Sequence, residues 1–162
     1  MFKKIAFAAS MVVVSLSSAV AFAAEESRSS IQISASIPSK VFHAQPRDPN
    51  FGKDEKMNYV LATGELTALR ALYDVRHTSG GIGAYIEGGP QALHNGANNI
   101  PLTYTFNGVT LTGASQEVVT EAAAAGGISA DLVITAAKPG DTQNGEYSAT
   151  PVLIFDALAK AS

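Results

Sequence analysis

Every second residue is apolar in one short segment near the start of the chain, residues 30–38. Alternation with period two predicts a β-strand that buries one face. The segment that follows is polar and contains prolines, so it offers no strand for a hairpin, and we expect residues 43–56 to form a surface loop. The predicted strand therefore has no partner nearby in the sequence. Its apolar positions are Ile31, Ile33, Ala35 and Ile37.

Short apolar segments resume after this loop, with glycines and polar residues between them. Their length and regular spacing favour an antiparallel β-sandwich. The segments are residues 58–62, 69–77, 83–87 and 128–137.

A hairpin is predicted at residues 100–113, where two alternating runs flank Asn107-Gly108. This pair tolerates the positive φ angles of a type I′ turn, the turn that best joins two twisted strands. One face of the first strand carries Leu102, Tyr104 and Phe106, and one face of the second carries Val109 and Leu111.

The segment after the hairpin, residues 114–127, has the composition of a helix. Ser115 is a suitable N-cap, Glu117 falls in the first turn, four alanines follow, and two glycines end the segment. We expect one short helix that crosses between the two sheets.

The last apolar segment, residues 146–159, is predicted to be a strand that contains Pro151. Proline cannot donate to a ladder, so this strand should be unpaired, edge-like or bulged on at least one side. Together with residues 30–38 it gives the chain an unusual strand near each end. The first strand either fills a groove in its own domain or fills the groove of another copy, which would build an open filament. The pattern alone leaves both open.

The start of the chain predicts export. Lys3 and Lys4 precede an apolar run at residues 5–14 and a small-residue site that ends at Ala23, the arrangement of a cleaved signal peptide.

The chain without this signal peptide is acidic. Of the 11 basic side chains, nine remain after Lys3 and Lys4 are removed, against 14 acidic ones, which gives a net charge of −5. Without a basic stripe, nucleic acid is not an expected partner. With no cysteine in the chain, thiol catalysis and disulfides are excluded.

No catalytic or metal-binding constellation emerges from the remaining polar residues. Three histidines, His43, His77 and His94, lack metal-ligand spacing, and we expect them at the surface. Asp74 and Glu87 could pair as carboxylates, but nothing in the sequence places them in one cleft. The sequence therefore indicates a protein that is not an enzyme and that uses no cofactor.

Three stretches carry a family resemblance: SIQISASIPSKV at residues 30–41, PLTYTFNGVTLTGASQEVVTEAAAAG at residues 101–126, and DLVITAAKPGDTQNGEYSATPVLIF at residues 131–155. They resemble the major pilins of alpha-class chaperone-usher fimbriae, the group of the colonisation factor antigens, the coli surface antigens and cable pilin. The resemblance implies an all-β, incomplete immunoglobulin-like sandwich with one short helix, completed by a donor strand from a neighbouring subunit.

The resemblance also implies a domain order and a set of partners. Residues 1–23 are the signal peptide, residues 24–40 the donor-strand segment, and residues 41–162 the pilin domain. The subunit passes through the periplasm to a fimbria on the cell surface. Its implied partners are other copies of itself, a periplasmic pilus chaperone, an outer-membrane usher and a tip adhesin subunit, with a host-surface receptor as a further candidate.

The resemblance also implies roles for individual residues. Ile31, Ile33, Ala35 and Ile37 become the inserted side chains, and Pro38 matches a proline that the family places one residue further on, where an X-Pro bond can act as an orientation switch. The chain departs from the family pattern at residues 42–56, and at residues 149–151, which replace a glycine-led stretch. The expected edge of the acceptor groove is Val152, Leu153, Ile154 and Phe155.

Two other functions stay open at this point. A minor or tip adhesin of the same fimbria would need a receptor pocket or a second domain, whereas the mature chain has the length of one domain. A monomeric periplasmic binding module with a sandwich fold would stay soluble and monomeric without its first strand. A shaft subunit would instead need a strand from elsewhere.

Overall fold

The computed structural model describes residues 41–160, which form an almost entirely β-stranded structure. The predicted strand at residues 30–38 lies outside the described residues. In chain order the described elements are β1 (Phe42–Pro46), β2 (Tyr59–Val60), β3 (Glu65–Leu66), β4 (Leu69–His77), β5 (Ile82–Ile86), β6 (Ala92–His94), β7 (Asn99–Phe106), β8 (Val109–Thr110), β9 (Gln116–Val119), α1 (Glu121–Gly126), β10 (Ile128–Ala136) and β11 (Leu153–Ala157).

Two antiparallel sheets enclose the core. The first has the order β1-β4-β10-β7-β6, with β8 paired to β7, and the second has the order β11-β5-β9. Strands β2 and β3 form a separate small hairpin. Buried side chains from both sheets make up one hydrophobic cluster. The architecture is the predicted all-β, immunoglobulin-like sandwich with one short helix.

The alternation predicted for the central hairpin is confirmed. On β7, Leu102, Tyr104 and Phe106 are all buried, and the residues between them face outward. They pack against apolar residues of the second sheet, including Ile82 and Ile86 of β5. Full burial of such a side chain stabilises the fold by about 1.5–3 kcal/mol.

The turn of this hairpin is also as predicted. Asn107 has φ 48° and Gly108 has φ 81°, so both central residues are left-handed, as a type I′ turn requires. The Asn107 side chain has a second use, because its Nδ2 donates a hydrogen bond to the Val118 carbonyl oxygen at 2.7 Å. The turn is thereby tied to β9 of the other sheet.

The predicted helix at residues 114–127 is half wrong. Residues 116–119 form β9, at one edge of the second sheet, and the helix is only Glu121–Gly126. Val118 and Val119 are both buried, and β-branched side chains favour a strand over a helix. Ser115 and Glu117 therefore precede the helix, which begins after Thr120. The helix does lead from the second sheet to the first, as expected.

The predicted loop at residues 43–56 is wrong in its first part, because β1 occupies Phe42–Pro46. Within this strand, Phe42 and Ala44 pack against the core while Gln45 is exposed. The proline at its end is tolerated because, in the described part of the chain, β1 pairs with β4 alone and so lies at a sheet edge.

The last strand is shorter than predicted. It begins at Leu153, so Pro151 precedes the strand and does not interrupt it. The edge position expected of this strand is found, since β5 is the one strand that pairs with β11 among residues 41–160.

Candidate functional site

Within residues 41–160, the backbone of β11 is hydrogen-bonded to a neighbouring strand, β5, on one side only. The Glu87 amide donates to the Val152 carbonyl at 2.9 Å, and the Leu158 amide donates to the Gly81 carbonyl at 3.0 Å. In an antiparallel ladder the residues alternate between those that bond to the neighbour and those that do not. The even-numbered residues therefore face β5. The amides and carbonyls directed away from β5 belong to Leu153, Phe155 and Ala157.

The side chains of β11 alternate in the same way. Leu153 and Phe155 point inward and pack against the core, yet both are only partly buried. Ile154 lies on the other face, where it is paired with Tyr85 of β5. Among residues 41–160, this edge thus presents unpaired ladder positions together with partly covered apolar side chains, which is the combination that an added strand would satisfy.

The first sheet borders the same side of the sandwich with β1. Pro46 on β1 is opposite Tyr73 on β4, and the Tyr73 ring lies 5.6 Å from the ring of Phe155 on β11. The edge strand of one sheet and the edge strand of the other are therefore neighbours across the core. We call the region between β1 and β11 the edge groove.

Aromatic rings form the floor of the edge groove. The Phe155 ring is 5.0 Å from Phe106 and meets it edge to face, and Tyr73 makes similar contacts with Phe106 at 5.6 Å and with Phe51 at 6.3 Å. Such pairs add about 0.5–1.5 kcal/mol beyond their buried area. Burial raises the pKa of the Tyr73 phenol, so it is neutral at physiological pH. The floor is uncharged and apolar.

A polar clamp holds the far end of β1. Arg47 follows the strand directly; its amide donates to Leu72 at 2.8 Å, and its guanidinium contacts Asp74 at 2.6 Å and also donates to the Ser129 hydroxyl. The Ser129 hydroxyl in turn donates to Asp74 at 2.8 Å. The hydrogen bonds from Arg47 and Ser129 hold the pKa of the Asp74 carboxyl below its usual value. One arginine thus links β1, β4 and β10.

The partners of Asp74 show whether it pairs with Glu87, the other carboxylate considered in the sequence. Asp74 is matched with Arg47, and Glu87 lies directly after β5 in the other sheet, so the two acids do not form a site. Within residues 41–160, no three side chains of His, Asp or Glu come together as a metal site would require. No helix in the described part of the chain has the length and apolar character needed to cross a membrane.

The histidines differ from one another. His77 is buried, contrary to the predicted surface position, because it continues the inward face of β4. Its Nδ1 donates to the Gly81 carbonyl at 2.9 Å, and its ring is 5.5 Å from Phe42. His43 lies on β1 and not in a loop, and His94 ends β6.

The site residues expected from the sequence fall into two groups. The donor-strand positions Ile31, Ile33, Ala35 and Ile37, with Pro38, lie outside the described residues. The groove-edge positions are described: Val152 is partly exposed just before β11, and Leu153, Ile154 and Phe155 lie in the strand, with Ile154 on its outer face.

Sequence reasoning found Phe106 and Phe155 of the floor but missed the other wall and the rings of Tyr73 and Phe51. Tyr73 could have been found, since alternation along residues 69–77 places it on the inward face. Phe42 and Phe51 could not, because the polar segment around them hides β1.

Comparison with known proteins identifies the family. No curated protein matches the chain. Among solved structures, the CooA pilin subunit from enterotoxigenic Escherichia coli is similar at 14% identity and a TM-score of 0.44, over 61% of this chain and 85% of that one. The family model of the CS1 type fimbrial major subunit matches residues 27–156, most of the chain, and confirms the resemblance seen in the sequence. The protein belongs to the CS1 type fimbrial major subunit family, and it is a major pilin subunit that polymerises into a cell-surface fimbria.

Proposed function

We propose that this pilin polymerises by donor-strand exchange, with residues 31–37 of one subunit inserted into the edge groove of the next. The observation that carries the proposal is the orientation of β11: Leu153, Phe155 and Ala157 direct their amides and carbonyls away from β5. An inserted strand would bond to these groups and cover the partly exposed Leu153 and Phe155 side chains. Burial of three isoleucines contributes about 5–9 kcal/mol.

The direction of the inserted strand follows from the sheets. Four residues, 78–81, join β4 to β5, so these strands run in roughly opposite directions across the sandwich. Since β1 is antiparallel to β4 and β11 is antiparallel to β5, β1 and β11 also run in opposite directions. A strand that forms the more stable antiparallel pair with β11 therefore lies parallel to β1.

This direction favours exchange between subunits over filling of a subunit's own groove. A strand parallel to β1 would place Ile37 at the far end of the groove, about 20 Å from where residue 31 begins. The chain must reach β1 through residues 38–41, which span at most about 18 Å from Ile37 to Phe42. No length of chain would remain for the turn that brings it back to the start of β1. A neighbouring subunit has no such restriction.

The sizes of the side chains suggest a register. If Ala35 lies opposite Phe155, antiparallel pairing places Ile33 opposite Ala157 and Ile37 opposite Leu153. The bulkiest groove residue then faces the smallest donor residue. A shift by two residues in either direction would put an isoleucine against Phe155, where close packing leaves little room.

The route to the fimbria is part of the proposal. Residues 1–23 are a signal peptide, residues 24–40 carry the donor strand, and residues 41–162 are the pilin domain. In the periplasm a chaperone occupies the edge groove, and an outer-membrane usher replaces it with the donor strand of the next subunit. A tip adhesin ends the filament, and the host receptor is bound there or along the shaft.

Two further features complete the assignment. Ile37-Pro38 lies directly after the inserted strand, where cis-trans isomerisation would change the angle between subunits slowly. The subunit has a structural and not an enzymatic role, without cofactor or metal. The match to a family of structural fimbrial subunits supports this assignment.

The test is thermal unfolding of a variant without residues 24–39, alone and with an excess of a peptide of residues 29–39. We expect a large rise in melting temperature with the peptide, and no rise when Ile33 of the peptide is replaced by Asp. A truncated domain that is already stable, monomeric and indifferent to the peptide would refute the proposal.

A second variant guards against aggregation of the truncated domain. It also lacks residues 24–39, but it carries a copy of residues 29–39 after Ser162 through a flexible linker. This self-complemented variant should be a stable monomer that no longer polymerises. If it still polymerises, or is no more stable than the truncated domain, the edge groove is not the site of exchange.

A further inference from the structure

The small hairpin of β2 and β3 is closed by hydrogen bonds at both ends. The Thr67 amide donates to the Asn58 carbonyl and the Asn58 amide donates to the Thr67 hydroxyl, both at 2.9 Å. At the other end, the Gly64 amide donates to the Val60 carbonyl at 2.8 Å, with Gly64 at φ 71°. The residues at the turn are thus held in one conformation, and they would lose little entropy on binding a partner.

The turn of this hairpin is apolar and exposed. Tyr59 is 54% exposed, Val60 37% and Leu61 90%, and Ala62 is also exposed. Single exposed apolar residues are common, but four in a row at a turn are not, and such runs indicate a surface made for contact. We call residues 59–62 the apolar tip.

An open cavity of about 310 Å³ lies on the outer side of β4. Leu72, which is 43% exposed, lines it together with Ala71 and Phe51. Two arginines and two acidic residues complete the lining, so the cavity carries no excess of either charge. The charged residues of this Leu72 cavity are Arg47, Asp48, Glu55 and Arg70.

We propose that the apolar tip of one subunit binds in the Leu72 cavity of another subunit of the same fimbria. This chain polymerises, so the surface most concentrated around each tip is another copy of the chain. The tip carries no charge that would lose its hydration, and the cavity offers three apolar residues among two positive and two negative side chains. Tip and cavity are different surfaces, so the contact repeats along a filament without closing into a dimer.

A single contact between an apolar tip and a Leu72 cavity is weak, but the contact is repeated many times along a fimbria. It is a different contact from insertion of the donor strand, although Phe51 belongs both to the floor of the edge groove and to the lining of the Leu72 cavity. It links subunits that the polymer already holds near each other. At such high effective concentration, a contact too weak to form between free subunits still forms. The proposal rests on polymerisation of the chain and not on the register or the identity of the donor strand.

The absence of cysteine from the chain allows a direct test in intact fimbriae. Leu61→Cys and Leu72→Cys are introduced together, fimbriae are sheared from cells and oxidised, and boiled samples are separated by size. We expect disulfide-linked dimers and ladders with this pair. The matched control combines Leu61→Cys with Thr110→Cys on β8, an exposed position separated from β4 by β10 and β7, and should stay monomeric.

Other results overturn the proposal. Dimers from Leu61→Cys alone would mean that tips meet tips, and equal cross-linking with the control pair would mean that contact is random. Fimbriae that form normally but give no ladder with the Leu61 and Leu72 pair would also refute it. Because every arm uses fimbriae that have formed, each result is separable from failure of donor-strand exchange.

A second measurement tests the effect of the contact on the shaft. Fimbriae with Leu61→Asp should dissociate or uncoil at lower temperature or force than wild type, whereas Thr63→Asp, on the same turn, should behave as wild type. Unchanged shafts combined with loss of binding to phosphatidylcholine vesicles would mean that the tip serves a membrane, and would overturn the proposal.

Discussion

The two ends of the sandwich treat their outermost backbone groups differently. At one end, β6 exchanges two backbone hydrogen bonds of 2.9 Å between His94 and Ser148, and β9 has its Val118 carbonyl bonded by the Asn107 side chain at 2.7 Å. At the other end, Leu153 and Phe155 of β11 direct their backbone groups away from the one strand that β11 pairs with in residues 41–160.

This difference is what the proposed assembly through the edge groove would require. Exposed sheet edges pair with other chains, and proteins usually cover them to prevent this. At the β6 and β9 end, two local contacts cover the outermost backbone groups. They are the hydrogen bond from the Asn107 side chain and the backbone bridge between His94 and Ser148. The β11 end has an aromatic floor beneath an edge that no second strand from residues 41–160 covers. One end covered by these residues and one end not covered by them suit a subunit that joins others in one direction only.

The largest expected effect comes from removing the floor of the edge groove. Phe155→Ala loses the ring contacts with Tyr73 and Phe106 and leaves a cavity, so we expect a loss of about 2–4 kcal/mol in the free energy of unfolding. Ile154→Ala, on the outer face of the same strand, should cost about 1 kcal/mol. Urea unfolding of the self-complemented variant measures both. Equal losses would place the floor elsewhere.

The proposed register gives the next effect. Ala35→Leu in the donor strand should clash with Phe155 and weaken insertion by about 1–3 kcal/mol. Phe155→Ala in the acceptor should relieve the clash, so that the double variant is more stable than the two single losses predict. The peptide-binding assay with the truncated domain gives the coupling energy. Strict additivity would rule out this register while leaving strand exchange intact.

Much of the fold was readable from the sequence because alternation and turn chemistry are local signals. Residues 69–77 and 128–137, and the turn at Asn107-Gly108, matched the structure closely. The helix at residues 114–127 was misplaced because alanines dominated the segment, although the two valines at residues 118 and 119 marked a strand. Propensity summed over a window cannot tell where a strand ends and a helix begins.

The site was only partly readable. The last strand, with Leu153 and Phe155, stood out as the most apolar segment. The opposite wall did not, because β1 alternates over only a few residues and ends in a proline. Its pairing with β4 depends on residues about 30 positions away, and long-range pairing leaves no mark in a short window. The clamp between Arg47 and Asp74 was invisible for the same reason.

A smaller effect is expected at the covered end. Asn107→Asp keeps a side chain that tolerates a positive φ but removes the amide that bonds the Val118 carbonyl. Loss of this partly buried hydrogen bond should lower the free energy of unfolding by about 0.5–1.5 kcal/mol. Urea unfolding of the self-complemented variant measures the loss, and light scattering reports new association. Unchanged stability would show that the β9 edge is held by other contacts.

The smallest effect is the pH dependence of the clamp at the end of β1. The pKa of Asp74 is lowered in the folded protein from its ordinary value of 3.8, chiefly by its hydrogen bond with Arg47. The carboxylate therefore stabilises the fold above that ordinary value, and the contribution is lost as the pH falls through the lowered pKa. Wild type should have a slightly higher melting temperature than Arg47→Gln at pH 7, and the difference should vanish at strongly acidic pH. In the Asp74→Asn background Arg47→Gln should show no such pH-dependent difference. The clamp is exposed, so a large difference, or one that grows as the pH falls, would mean that Arg47 acts through another partner.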